Sequence, residues 1–197
     1  MTIVKQELKL NIKALLIWAI VVGGLTFIFM LVFPELANQS QDIMGIYADM
    51  GVFSEAFGMD KINITTALGF YGIEAGAMIS VGGAMFASLI GTGILCKEEG
   101  NHTAEFLLTM PVSRFQILTE KLLATSTIIV LFNVICFAFG CASFIAIGED
   151  LELKKLILYH FAQIVMQLEI GYICFGISAF LKRNSAGIGI GIAVLLY

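Results

Sequence analysis

Glu74 and Glu169 stand inside long apolar runs of the chain. A lone carboxylate in hydrocarbon is costly, so each must face protein or water, or hold a proton. One reading makes them polar points in a substrate path or proton sites. The other makes each a protonated acid hydrogen-bonded between helices. No Lys or Arg lies at a similar depth in its run to offer an ion pair. The other reactive side chains assemble into nothing catalytic. His102 and His160 are separated by an apolar run, fall on opposite sides of it, and cannot share a metal. Cys96, Cys136, Cys141 and Cys174 form no C-x-x-C pair and read as small buried hydrophobes. No G-x-x-x-x-G-K-[ST] loop is present to cradle phosphate, so any nucleotide hydrolysis would come from another chain. The expectation is no catalytic residue, no resident cofactor or metal, and no nucleic-acid partner.

The elements that hold these residues are set by composition. The chain of 197 residues is 59% hydrophobic and 13% charged. Soluble domains carry about 25% charged residues, so this is an all-α polytopic membrane protein with no room for a soluble domain. A membrane-crossing helix needs about 20 mostly apolar residues. Runs at 14–33, 67–95, 118–147 and 156–181 meet that requirement. A further run opens at 185 and is still apolar at 197, too short to cross on its own. It reads as a truncated span, and the chain as a fragment of about five transmembrane helices. Pro34 is expected to stop the first run.

Lys and Arg set the orientation. With the N-terminus inside, Lys5, Lys9, Lys13, Lys97, Arg114, Lys121, Lys182 and Arg183 are cytoplasmic, and only Lys61, Lys154 and Lys155 are outside. The lead at 1–13 has Lys5, Lys9 and Lys13 on one helical face and Val4, Leu8, Ile12 and Leu15 on another. It reads as an amphipathic helix lying on the inner membrane surface, its lysines toward anionic lipid, with Trp18 anchoring at the boundary. The blander reading is the solvated start of the first span. The outer loop at 34–66 carries Ile43, Ile46, Tyr47, Met50, Phe53 and Phe57 at helical spacing, either a second surface helix or a solvated cap. In the second span Gly72, Gly76, Ser80, Ala84, Ser88 and Thr92 recur at every fourth position, beside Gly83, Ala87 and Gly91. Small side chains allow close helix approach in lipid, so this stripe predicts packing against other spans or a second subunit.

Between the second and third spans lies a polar island on the cytoplasmic side. Thr103 can cap a short helix, and Glu98, Glu99 and Glu105 suit its first turn or the turn before. Phe106, Leu107 and Met110 give that helix an apolar face, Pro111 ends it, and Val112-Ser113-Arg114 turns the chain. A short helix with apolar knobs fits a groove on a soluble partner. A plain solvated connector accounts poorly for Phe106-Leu107-Leu108 between charges.

Here the sequence resembles the permease subunits of ABC-2 type transporters. Their pattern is similar to E-E-x-x-G-T-x-E-x-L-L-x-x-P-[VI]-S-R, followed by Ile and Lys. This chain reads Glu98-Glu99, Thr103, Glu105, Leu107-Leu108, Pro111-Val112-Ser113-Arg114, then Ile117 and Lys121, with His102 where the family usually has Gly. The resemblance implies six spans in a full-length chain and a cytoplasmic coupling helix around Glu105 to Met110. That helix would dock into a separate ATP-binding subunit, which would hold the ATP and Mg. Two permeases, as homo- or heterodimer, would join two ATPases in the plasma membrane. The docking set is then Glu98, Glu99, Thr103, Glu105, Phe106, Leu107, Leu108, Pro111, Ser113 and Arg114, with Arg114 fixing the turn or pairing with Glu98 or Glu99. The function implied is ATP-driven export. A gradient-driven transporter using Glu169 and a non-transporting membrane scaffold are the alternatives.

Overall fold

The computed structural model describes residues 2–38, 66–100 and 113–180. Helix α1 is Thr2–Asn38 and α2 is Ala67–Phe70. A π-helical turn, Tyr71–Ala75, joins α2 to α3, Gly76–Gly100. Helix α4 is Arg114–Ile147 and α5 is Leu153–Ser178. No strand occurs among the described residues. Four stretches are long and apolar enough to cross a membrane: Ile3–Ala37, Ala67–Glu98, Arg114–Ile147 and Leu153–Ser178. The runs at 14–33, 67–95 and 118–147 lie within the first three, and the run at 156–181 overlaps the fourth. The outer-loop helix, the run at 185–197, Lys182 and Arg183 lie outside the described residues.

Helix α1 differs from expectation at both ends. The lead is not a separate element but the first turns of one helix of 37 residues. At 1.5 Å per residue that helix is about 55 Å long. It exceeds about 30 Å of hydrocarbon, so its end turns lie beyond the apolar layer or the helix tilts. Lys5, Lys9 and Lys13 are exposed, as their shared face predicts. Pro34 does not end the helix, which continues to Asn38. The turns around it are held from outside the backbone ladder. Phe33 packs on Phe70 with ring centroids 5.5 Å apart, and Leu36 and Ala37 lie against the core. The indole of half-buried Trp18 lies 6.0 Å from the Phe86 ring.

The core follows from helical periodicity. Leu15, Ala19, Val22, Thr26, Met30 and Phe33 are buried and form one stripe of α1. At the centre Phe86 of α3 stacks on Phe132 of α4 at 4.9 Å. The outward faces are apolar, as a lipid-facing surface requires: Ile17, Ile20 and Ile28 of α1, Val134 of α4, and Leu158, Phe161 and Val165 of α5 are all exposed. Gly148, with φ of +75°, closes α4 in the left-handed conformation that glycine adopts without strain.

The predicted small-residue stripe packs chiefly on α5, but it does not stay on one row. A β-carbon at Gly76 would overlap the Tyr159 hydroxyl, one at Gly83 the Gln167 amide, and one at Gly91 the backbone carbonyl of Gly171. Ser80 bonds Gln163 at 3.1 Å. Ala84 is buried, and buried Ser88 donates to Met85 of its own helix at 2.8 Å. Gly72 has nothing within 4 Å of its β-carbon position and makes no close approach. A four-residue spacing drifts about 40° per step around a 3.6-residue helix, which moves the contact from the Gly76 row to the Gly83 and Gly91 row.

Candidate functional site

The end of the bundle that carries the start of α1 gathers charges that the sequence spreads over more than a hundred positions. Glu7 lies about a quarter turn from the buried stripe of α1 and is itself only 2% exposed. Its Oε1 accepts from Lys121 Nζ of α4 at 2.8 Å, and its Oε2 pairs with Lys97 of α3. Lys121 is 1% exposed. Its ammonium also donates to Glu98 Oε1 at 2.8 Å and to the Ile94 carbonyl at 2.9 Å. Three donors thus meet three acceptors, which is what a buried ammonium requires. Beside them Glu120 accepts from the Ile3 amide at 3.1 Å and from Gln116 Nε2 at 3.2 Å. The first bond satisfies a backbone donor at the start of α1 that has no partner within the helix. Two carboxylates and two ammoniums make the Glu7–Lys97–Lys121–Glu98 cluster neutral as a unit.

These ties stand at both mouths of the connection between α3 and α4. Lys97 and Glu98 are in the last turn of α3, and Lys121 is in the second turn of α4. Of the predicted docking residues, Glu98 pairs with Lys121 and not with Arg114. Glu98 and Glu99 belong to the end of α3, not to the start of a following helix. Ser113 is the N-cap of α4, its hydroxyl accepting from the Gln116 amide at 3.1 Å. Arg114 is the exposed first residue of α4 and makes no ion pair among the described residues. Thr103, Glu105, Phe106, Leu107, Leu108 and Pro111 lie outside the described residues.

The two intramembrane acids are not brought together. Glu74 sits half-buried on the π-helical turn. Glu169 lies on the exposed face of α5 and has no partner among the described residues. The inward face of α5 carries neutral groups instead. Tyr71 of the π-helical turn bonds His160 Nε2 at 2.8 Å. Gln163 donates to Ser80 and to Tyr159, each at 2.8 Å. Asn133 of α4 donates to Gln167 at 2.8 Å. Sequence reasoning missed this row, although the spacing of His160, Gln163 and Gln167 by three and four was a signal for it. The Nδ1 atom of His160 has no hydrogen-bond partner among the described residues, which leaves Tyr71 as the ring's one polar tie there. Tyr71→Phe is expected to lower stability by about 1–3 kcal/mol, because it leaves His160 buried with neither nitrogen paired. Adding His160→Phe should recover part of that loss, as thermal unfolding of both variants in one detergent would show.

A family model described as ABC-2 family transporter protein matches residues 1–197. No curated protein and no solved structure matches the chain.

Proposed function

The chain belongs to the ABC-2 family of transporter proteins, and on that premise we propose that it is the transmembrane permease subunit of an ATP-driven exporter. Its N-terminus is then cytoplasmic and its home the plasma membrane. The energy comes from a separate ATP-binding subunit, which holds ATP and Mg, and a second permease completes the complex. The ATPase docks on the connection between α3 and α4. Glu105, Phe106, Leu107 and Leu108 enter its groove, and Ser113 and Arg114 fix the return into α4.

One observation supports this reading most. Both ends of that connection are tied to the start of α1 by one ion cluster, buried at Glu7 and Lys121 and partly buried at Lys97 and Glu98. A connector with no mechanical role has no need of such anchorage. A push on the docking segment is received by three spans at once, and the two states of the transporter differ in how those spans meet. The gradient-driven alternative gains nothing from the geometry, since α5 turns Glu169 outward.

The test is copurification. The chain, tagged and extracted in mild detergent, is expected to bring down a P-loop ATPase in comparable amount. Glu105→Lys or Phe106→Asp is expected to remove the ATPase while membrane insertion stays normal. Undiminished ATPase recovery with both variants would refute docking at this segment.

A further inference from the structure

We infer that Glu7 is a positioning residue for coupling, which makes the first turns of α1 move with the ATPase-docking segment. This rests on the docking reading above and adds a part to it. The two oxygens of the Glu7 carboxylate are divided between helices: Oε2 holds Lys97, at the exit of α3, and Oε1 holds Lys121, at the entry of α4. Glu7 therefore closes the base of the segment that runs from one lysine to the other. A movement that parts the end of α3 from the start of α4 must break one of these bonds or carry α1 with it. The bond from Ile3 to Glu120 ties the same turns of α1 to α4 a second time.

Stability alone does not explain a carboxylate at this place. Glu7 occupies a buried position in the first turns of α1. Well-packed apolar residues often serve a buried position as well as a buried ion pair does or better. A charge shared by two lysines on different helices does what a leucine cannot, since it fixes the register of three helices by direction and distance. Beyond the cluster, the buried face from Leu15 to Phe33 carries a displacement of the first turns along the membrane span. The lead thus acts as the near end of a lever rather than as a float on the lipid surface.

The experiment uses the full-length permease with its copurified ATPase in lipid nanodiscs. Three quantities are read for each variant: ATPase recovered per permease, thermal midpoint, and ATP turnover of the complex beside that of the ATPase alone. Glu7→Gln is expected to keep the ATPase bound while turnover shifts about tenfold toward the rate of the free ATPase, within the range of couplings between linked sites. Lys97→Gln, which removes the tie to α3 while Lys121 still holds Glu7, is expected to shift turnover in the same direction with the ATPase still bound. Should Glu7→Gln fail to fold, Glu7→Asp keeps the charge, shortens the reach, and is expected to shift turnover in the same direction. Wild-type turnover in a Glu7→Gln or Glu7→Asp complex that retains its ATPase would overturn the coupling role and leave docking intact. Failure of the wild-type chain to bring down any ATPase would overturn the docking reading, and this inference with it.

Discussion

Lys121→Met should leave little folded protein. The methionine fills much of the lysine's volume but abandons two carboxylates, Glu7 and Glu98, and the Ile94 carbonyl. Glu7 keeps Lys97 as a partner. Removing one member of a buried ion pair costs about 3–5 kcal/mol, and the lower end applies here because Glu7 keeps Lys97 and Glu98 is 21% exposed. The check is the yield of monodisperse protein and its thermal midpoint, beside a second chain in which Lys121→Met is joined by Glu7→Gln and Glu98→Gln. That chain removes the charges that lost Lys121 and is expected to recover most of the lost yield. A Lys121→Met chain as stable as wild type would mean that the ammonium is not enclosed by the two acids. Recovery of folding without recovery of coupling would separate the two duties of the cluster.

Helices were legible in the sequence because a span is a property of local composition. Twenty apolar residues in a row predict a helix long enough to cross whatever they touch, and four such helices overlap the first four runs. Ends were less legible. Pro34 reads as a stop in isolation, yet Phe33 on Phe70 and the packed Leu36 keep the helix going. The family was legible in the motif from Glu98 to Lys121, and the match over the whole chain agrees with it. The ion cluster was not legible as a site. Its members lie in three separate segments, and pairing Glu7 with Lys121 requires knowing that α1 lies along α4. A local signal did exist. Glu7 stands across the helix from Lys5, Lys9 and Lys13 and about a quarter turn from the stripe of Leu15, Ala19 and Val22, so the lead presents an acid away from its lysines. Reading the lysine face first hid that acid. Nearness in sequence likewise offered Glu98 as one partner for Arg114, beside Glu99 or a role in fixing the turn, while the fold sets distant Lys121 against Glu98.

Gly91→Val is expected to disrupt the seam between α3 and α5. At most of the close approaches on this seam the atom in the way belongs to a side chain, such as Tyr159 opposite Gly76 or Gln167 opposite Gly83, and a side chain can swing aside. At Gly91 the obstacle is the backbone carbonyl of Gly171, with its carbon 3.2 Å from the β-carbon position and the Cys174 β-carbon at 3.1 Å. Backbone in a helix cannot rotate away, so the helices themselves must separate. Overpacking of this kind costs about 1–3 kcal/mol, and occasionally more where nothing can yield. Separation here also reaches the charged end of the bundle, because Lys97 and Glu98 follow Gly91 on the same helix and Cys96 contacts the Ser178 carbonyl of α5 at 3.5 Å. Gly93 is the control. It shares the helix, has nothing within 4 Å of its β-carbon position, and as alanine should gain about 0.5–1 kcal/mol of helix stability. The expected order of thermal midpoints is Gly93→Ala at or above wild type, then Gly91→Ala, then Gly91→Val lowest. If Gly91→Val melts with wild type, α3 and α5 do not meet backbone to backbone. A lowered midpoint accompanied by loss of coupling would mean that the seam sets the position of the ion cluster as well as the stability of the fold.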